Sequence, residues 1–476
     1  MESTPTASTS APRKLIADAF GKGVSLWYPS VHDSINSMRL AVYTSEHLFE
    51  GTVFPAMQAV VSMQEQWANG LVDTVRGEQT LKDFGRDTWS RLRSGARFNR
   101  LVNTLGRDLF GSARFEGETI LAEDEYFKLT YIPPKEGVPV QAPLFHAGGA
   151  IPYGDRLFRL MPEANLYGRF TERGMPVYAM ELRGDRYHIN YGGLTIAELV
   201  DSIERLSTTA FEHAGRKLVL EGYCGHGMQA LAYLAAKPED ADKKLCGVAL
   251  FVSPVHGPDC SIIADLPQMT PGRLSDIQLS LLQYTTGYIP GDGMRLSLDL
   301  SLKKNFLKTP LGRFVDGWNQ VDLAKVKTVE ELTPVQRKVL VGAYWISAAN
   351  ANRFPIPVDF SRYANVMFSK GLSPKGDIPF SYRGRELSLA DFVARTSIPV
   401  VGFYGGTDPM IPDRTAYPLI GLLRDRYRHV VHPNAGHISY VFSKKQWDAG
   451  HPKAFKPNPV DVILEMIQKE PIGLLD

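Results

Sequence analysis

Residues 217–236 read KLVLEGYCGHGMQALAYLAA. An apolar run with strand propensity breaks at a glycine-crowded turn, and Met228, Leu231 and Leu234 follow at helical spacing. A strand that turns so sharply into a helix belongs to a layered α/β architecture, and it carries its tip residue, Cys224, clear of both elements. Few other local patterns constrain a fold as tightly.

The remaining apolar runs extend that expectation. Tyr126–Ile132, Ala142–His146, Pro176–Leu182, Gly247–Val252, Ile398–Tyr404 and Arg428–Val431 are mostly apolar throughout rather than alternating. Strands buried on both faces of a largely parallel sheet require that pattern. The fold class predicted is α/β, a mostly parallel sheet flanked by helices. Ahead of it, residues 15–115 are predicted to form an N-terminal helical region, in which Phe54, Met57, Val60, Val61, Trp67 and Leu71 recur near 3.6-residue spacing. That stripe is expected to pack against the rest of the chain, with a homodimer contact or an apolar surface as the alternative. A catalytic domain then covers 116–476. Within it the regular pattern lapses at about 255–395 into a proline- and aromatic-containing stretch too long for a plain loop, which is expected to form a cap.

Composition removes several classes of function. Fifty-three Lys and Arg face 51 Asp and Glu, a net charge of +2, so no strong field points to nucleic acid or an anionic membrane. The opening MESTPTASTSAPRK has no apolar core and is expected to be a disordered tail at 1–14, not a signal peptide. No apolar run approaches the ~20 residues that span a bilayer. Three cysteines at 224, 246 and 260 form neither a disulfide framework nor a zinc pair. A cytoplasmic protein is the expectation.

Chemistry enters at the turn. Gly222-Tyr223-Cys224-Gly225-His226-Gly227 is a cysteine version of the G-x-S-x-G nucleophile elbow, with His226 where a second small residue is expected. The alternative is an inert, packed cysteine. Downstream, Gly402–Asp408 reads as a strand running into a glycine turn that ends on an acid, and Pro433–His437 follows a further strand. Nucleophile, acid and histidine in that order, each just beyond a strand, match the α/β-hydrolase arrangement. His437 would then take the Cys224 thiol proton, with Asp408 orienting the imidazole. The backbone N–H of Gly225 and one from the His146-Ala147-Gly148-Gly149 loop, at Ala147 or Gly148, would hold the oxyanion. Tyr223, His226 and His146 are expected to line the substrate pocket. No metal is expected, because His429, His432 and His437 lack a ligand spacing.

Together these motifs resemble the polyhydroxyalkanoate synthase and intracellular polyhydroxyalkanoate depolymerase group of α/β-hydrolases. In the synthases the elbow is G-x-C-x-G-G, the acid lies in G-x-x-D-x-I-x-P, and the base in G-H-I; here Cys224 matches the nucleophile, Asp408 the acid with Met410, Ile411 and Pro412 after it, and His437 the base in Gly436-His437-Ile438. Tyr344–Pro355 is loosely similar to the W-N-x-D-x-T-x-x-P stretch of the synthase cap. The departures are His226, Asp413 in place of a tryptophan, and the missing N-P-P. Val441–Trp447 instead resembles the F-S-x-x-x-W that follows the histidine in the depolymerases. The resemblance implies an acyltransferase that polymerises 3-hydroxyacyl-CoA through an acyl-cysteine, with no cofactor besides that substrate. Its alternatives are a depolymerase or thioesterase with the same triad, or a catalytically weak homologue that binds polymer granules or a partner.

Overall fold

The computed structural model describes residues 45, 49–149, 154–183, 191–260, 264, 272–289, 309–320, 323, 325–347 and 355–468. The tail at 1–14, residues 15–44 of the helical region and 348–354 of the cap-like stretch lie outside them.

Eight strands form the central sheet: β1 Thr119–Glu123, β2 Phe127–Ile132, β3 Leu144–His146, β4 Val177–Leu182, β5 Leu218–Tyr223, β6 Leu245–Phe251, β7 Val400–Gly405 and β8 Tyr427–His432. Their order is β1-β2-β4-β3-β5-β6-β7-β8. Both ladders of β2, to β1 and to β4, are antiparallel, and every other pairing is parallel. This is the α/β-hydrolase fold.

The unbroken apolar runs follow from the two layers that cover the sheet. Along β5, Leu218 and Leu220 enter the core beneath the Ile196–Ala214 and Gly225–Ala236 helices, while Val219 and Tyr223 enter the core on the opposite face with the Pro459–Gln468 helix. Leu250 and Ala249 divide in the same way on β6, as do Tyr404 and Phe403 on β7. Only β1 had no such signal. It is an edge strand with no buried residue, so nothing forces its side chains to be apolar.

The Ile196–Ala214 helix shows how local chemistry sets a boundary. Thr195 caps it by accepting the Glu198 N–H at 3.1 Å, and Gly215 ends it with φ 62°.

Two helices, Phe54–Val75 and Leu81–Leu101, precede the sheet domain. The second docks through Phe98 and Leu101 and is crossed closely by the Pro310–Trp318 helix, where a Cβ on Gly317 would stand 2.7 Å from the Ser94 carbonyl. The apolar stripe behaves otherwise than expected. No residue of the Phe54–Val75 helix is buried, and Met57 keeps 61% of its surface. Its spacing encodes a face, but packing depends on what the rest of the chain presents. Part of the stretch assigned to a cap, from Val358 to Arg395, packs into the main core through Phe360, Tyr363, Met367, Leu389 and Phe392. Among the described residues, no helix is long and apolar enough to cross a membrane.

Candidate active site

Cys224 stands alone between the last residue of β5 and the first of the Gly225–Ala236 helix, with φ 51° and ψ −119°. A side-chain-bearing residue adopts that conformation only when its surroundings enforce it. Here the Cys224 N–H donates to the Phe251 carbonyl at 2.8 Å, and the Cys224 carbonyl accepts from Gly227 at 2.9 Å. Glycine is needed at two flanking positions. A Cβ on Gly222 would lie 2.7 Å from the Gly227 Cα, and one on Gly227 would lie 1.9 Å from the Ser253 hydroxyl. Position 226 carries no such demand, because the His226 side chain turns inward and is fully buried.

Asp408 follows β7 and His437 follows β8, so the parallel sheet delivers both to the edge at which Cys224 sits. The loops are tied together: Thr407 donates to the Ala435 carbonyl through its N–H at 2.9 Å and its hydroxyl at 2.8 Å. Asp408 Oδ1 accepts the N–H groups of Met410 and Ile411, which leaves Oδ2 for His437 Nδ1 at 2.8 Å. Burial alone would lower the His437 pKa. The Asp408 carboxylate and the Cys224 sulfur oppose that and hold it well above its ordinary value. The structure therefore brings Cys224, Asp408 and His437 to one place.

The other expected residues fare differently. Tyr223, His146 and His226 are buried, at 2% exposure or less. The Tyr223 hydroxyl donates to the His437 carbonyl at 2.5 Å and so anchors the histidine loop. His146 bonds through Nδ1 to Glu221. Burial would depress its pKa, but Glu221 and Asp155 raise it to about 9; burial prevails at His226 and pushes it down to about 3, with Asp155 pulling upward and the neighbouring His146 downward. The oxyanion assignment at 147–148 is also corrected. Ala147 N–H donates to the Glu221 carbonyl at 2.9 Å and Gly148 N–H to the His146 carbonyl at 3.0 Å, so neither is available. Gly225 fits the role, since a first-turn amide has no acceptor within its own helix. In the 146–149 loop, the Gly149 N–H has no hydrogen bond among the described residues.

Sequence reasoning overlooked Tyr440, whose hydroxyl joins the Tyr404 carbonyl to His432 and whose carbonyl accepts the Trp447 indole at 2.8 Å. It also passed over Glu221, although an acid inside an apolar strand was a visible signal.

Two of the three thiols are alike. Burial pushes both Cys246 and Cys260 up to about 12, and these two pack as small apolar groups. Brief exposure to iodoacetamide at neutral pH is therefore expected to alkylate Cys224 alone, as read by peptide mass mapping. Equal labelling of Cys246 would contradict this picture.

No family model and no curated protein matches the chain. Among solved structures it is similar to an α/β fold family hydrolase from Bacillus anthracis str. Sterne, at 13% identity over 74% of this chain and 98% of that one, TM-score 0.37. A membrane phospholipase A, a bacterial virulence factor, is similar at 16% identity over 85% and 98%, TM-score 0.38. A meta-cleavage product hydrolase from Pseudomonas fluorescens IP01 stands at 14% over 74% and 97%, TM-score 0.34. At such values the likeness adds nothing to what the strand order already establishes.

Proposed function

We propose that the chain is an acyl-transfer enzyme acting on esters or thioesters through a covalent acyl-cysteine. One observation carries this reading: a thiol held at a strained strand-to-helix elbow beside a histidine whose Nδ1 is bound 2.8 Å from a buried carboxylate. His437 takes the Cys224 proton as the sulfur attacks the acyl carbon, and Asp408 holds the imidazole in orientation and balances its charge. The Gly225 N–H receives the charge that develops on the carbonyl oxygen, with Gly149 as the second donor. The acyl group remains on sulfur while the protonated imidazole hands its proton to the leaving group. A nucleophile activated by His437 then releases the acyl group and restores the thiol.

Among acyl donors, 3-hydroxyacyl-CoA is favoured. Exchange between a thioester and a thiol is close to balanced in energy, and the elbow and acid motifs resemble those of the polyhydroxyalkanoate synthases. The competing reading, ester or polyester hydrolysis, draws on the segment Phe442–Trp447, where the indole braces the turn that follows His437. Incubation with 3-hydroxyacyl-CoA discriminates between them. Release of CoA with accumulating polymer is the expected result. Free hydroxy acid alone would show a thioesterase, and indifference to the CoA ester with shortening of amorphous polyester would replace the synthase reading by the depolymerase one.

A further inference from the structure

Beneath the elbow lies a cluster that the acyl-transfer chemistry does not use. Three buried side chains converge there from separate parts of the chain: His146 at the end of β3, Asp155 in the 3-10 turn Asp155–Leu157, and His226 in the first turn of the Gly225–Ala236 helix. One ligand atom from each lies within 4.8 Å of the others. Asp155 Oδ1 is 3.9 Å from His146 Nε2 and 4.0 Å from His226 Nε2, too far for direct hydrogen bonds. Among the described residues, His146 Nε2, Asp155 Oδ1 and both ring nitrogens of His226 have no hydrogen-bond partner, although both histidine side chains are fully buried.

A buried polar atom without a partner is costly, and several facing a common point require something between them. The surroundings select what that is. His146 Nδ1 is held by the Glu221 carboxylate, the arrangement that orients a metal-binding imidazole and directs its other nitrogen toward the ion. Asp155 is oriented in the same manner, its Oδ2 accepting the Leu182 N–H at 2.8 Å while Oδ1 turns into the cluster. The rings of Phe158 and Tyr167 wall the site, with centroids 4.5 and 5.4 Å from that of His146.

We infer that His146, Asp155 and His226 bind one divalent transition-metal ion, with zinc the best match. Two imidazoles and one carboxylate are a common zinc donor set, with bonds of ~2.0–2.2 Å; tetrahedral bonds of that length place ligand atoms roughly 3.4 Å apart, so the two spacings to Asp155 need to close by about half an ångström and all three ligand atoms already lie within 4.8 Å of one another. A fourth position is left for water. The ion joins the 146–149 loop, the Asp155 turn and the first turn of the elbow helix, so its role is to brace the elbow and the loop. This explains why a histidine occupies position 226, where the elbow pattern expects a small residue.

The test avoids the thiol, which could itself capture zinc. Cys224→Ala chain, loaded with Zn²⁺ and freed of loose ion by gel filtration, is expected to hold about one zinc per chain by mass spectrometry. With Co²⁺ in its place, the spectrum should show d–d bands near 600 nm and no sulfur charge-transfer band. Glu221→Gln in the same background keeps all three ligands and should weaken affinity about 10- to 100-fold. Asp155→Asn, nearly identical in shape, should abolish stoichiometric binding while circular dichroism confirms the fold. Cys224→Ala chain without zinc at micromolar free metal, or Asp155→Asn and His226→Gln chains that both retain it, would overturn the proposal in favour of a water-filled polar cavity. Neither result bears on the acyl-cysteine chemistry, which this background lacks.

Discussion

Cys224→Ala is expected to lower turnover of an ester or thioester substrate by roughly 10⁴- to 10⁶-fold while leaving the circular dichroism spectrum unchanged. Removing the sulfur removes the atom that forms the covalent intermediate, and no other thiol can replace it, since Cys246 and Cys260 pack elsewhere in the core. Asp408→Asn should act through the imidazole and damage kcat more than KM. In a Cys224→Ala background it should cost almost nothing further, because groups that work as one unit are not additive. Full activity in Cys224→Ala, or a large additional loss in the double variant, would end the triad reading. A pH signature accompanies the aspartate change. The His437 pKa is raised by Asp408 against burial, so the charged imidazole stabilises the folded state below the unfolded value of about 6.5. That stabilisation is lost as pH rises through the raised folded pKa. The difference in Tm between the parent and Asp408→Asn should accordingly be largest below about pH 6.5 and shrink on the alkaline side.

Gly148→Ala is expected to be the most damaging glycine-to-alanine exchange among the described residues. Its Cβ would fall 1.6 Å from the Met180 carbonyl oxygen on β4 and 2.9 Å from Asp155 Oδ1. The first of these is backbone within a paired strand, so the obstacle cannot rotate aside as the end of a side chain would. The cost should exceed about 4 kcal/mol, seen as insoluble protein or a fall in Tm of roughly 4 °C or more. Gly85→Ala provides the control: nothing lies within 4 Å of the added carbon, and it sits inside the Leu81–Leu101 helix. There the exchange should be neutral or stabilising by up to ~1 kcal/mol. A soluble Gly148→Ala protein melting with the parent would show that the 146–149 loop is free to move away from β4.

Strands β2 to β7 were legible because each is buried on both faces, which demands a run of apolar residues that can be seen without any partner in view. The edge strand β1 carries no such demand and was not seen. The same distinction divides the site. Cys224 directly follows a strand, Asp408 and His437 lie in the loops that follow theirs, and a parallel sheet carries the ends of its strands to one edge, so their convergence was implied by order along the chain. The roles of their neighbours were not. Whether the Ala147 N–H can hold an oxyanion depends on the Glu221 carbonyl, and whether Tyr223 meets substrate depends on the His437 carbonyl. The exposure of Met57 and Val61 depends likewise on surfaces contributed from elsewhere. A residue's sequence determines its backbone propensity and its chemistry. Which way its side chain turns, and which of its donors and acceptors are already spoken for, is decided by groups distant in sequence, and those are assigned only when the chain packs.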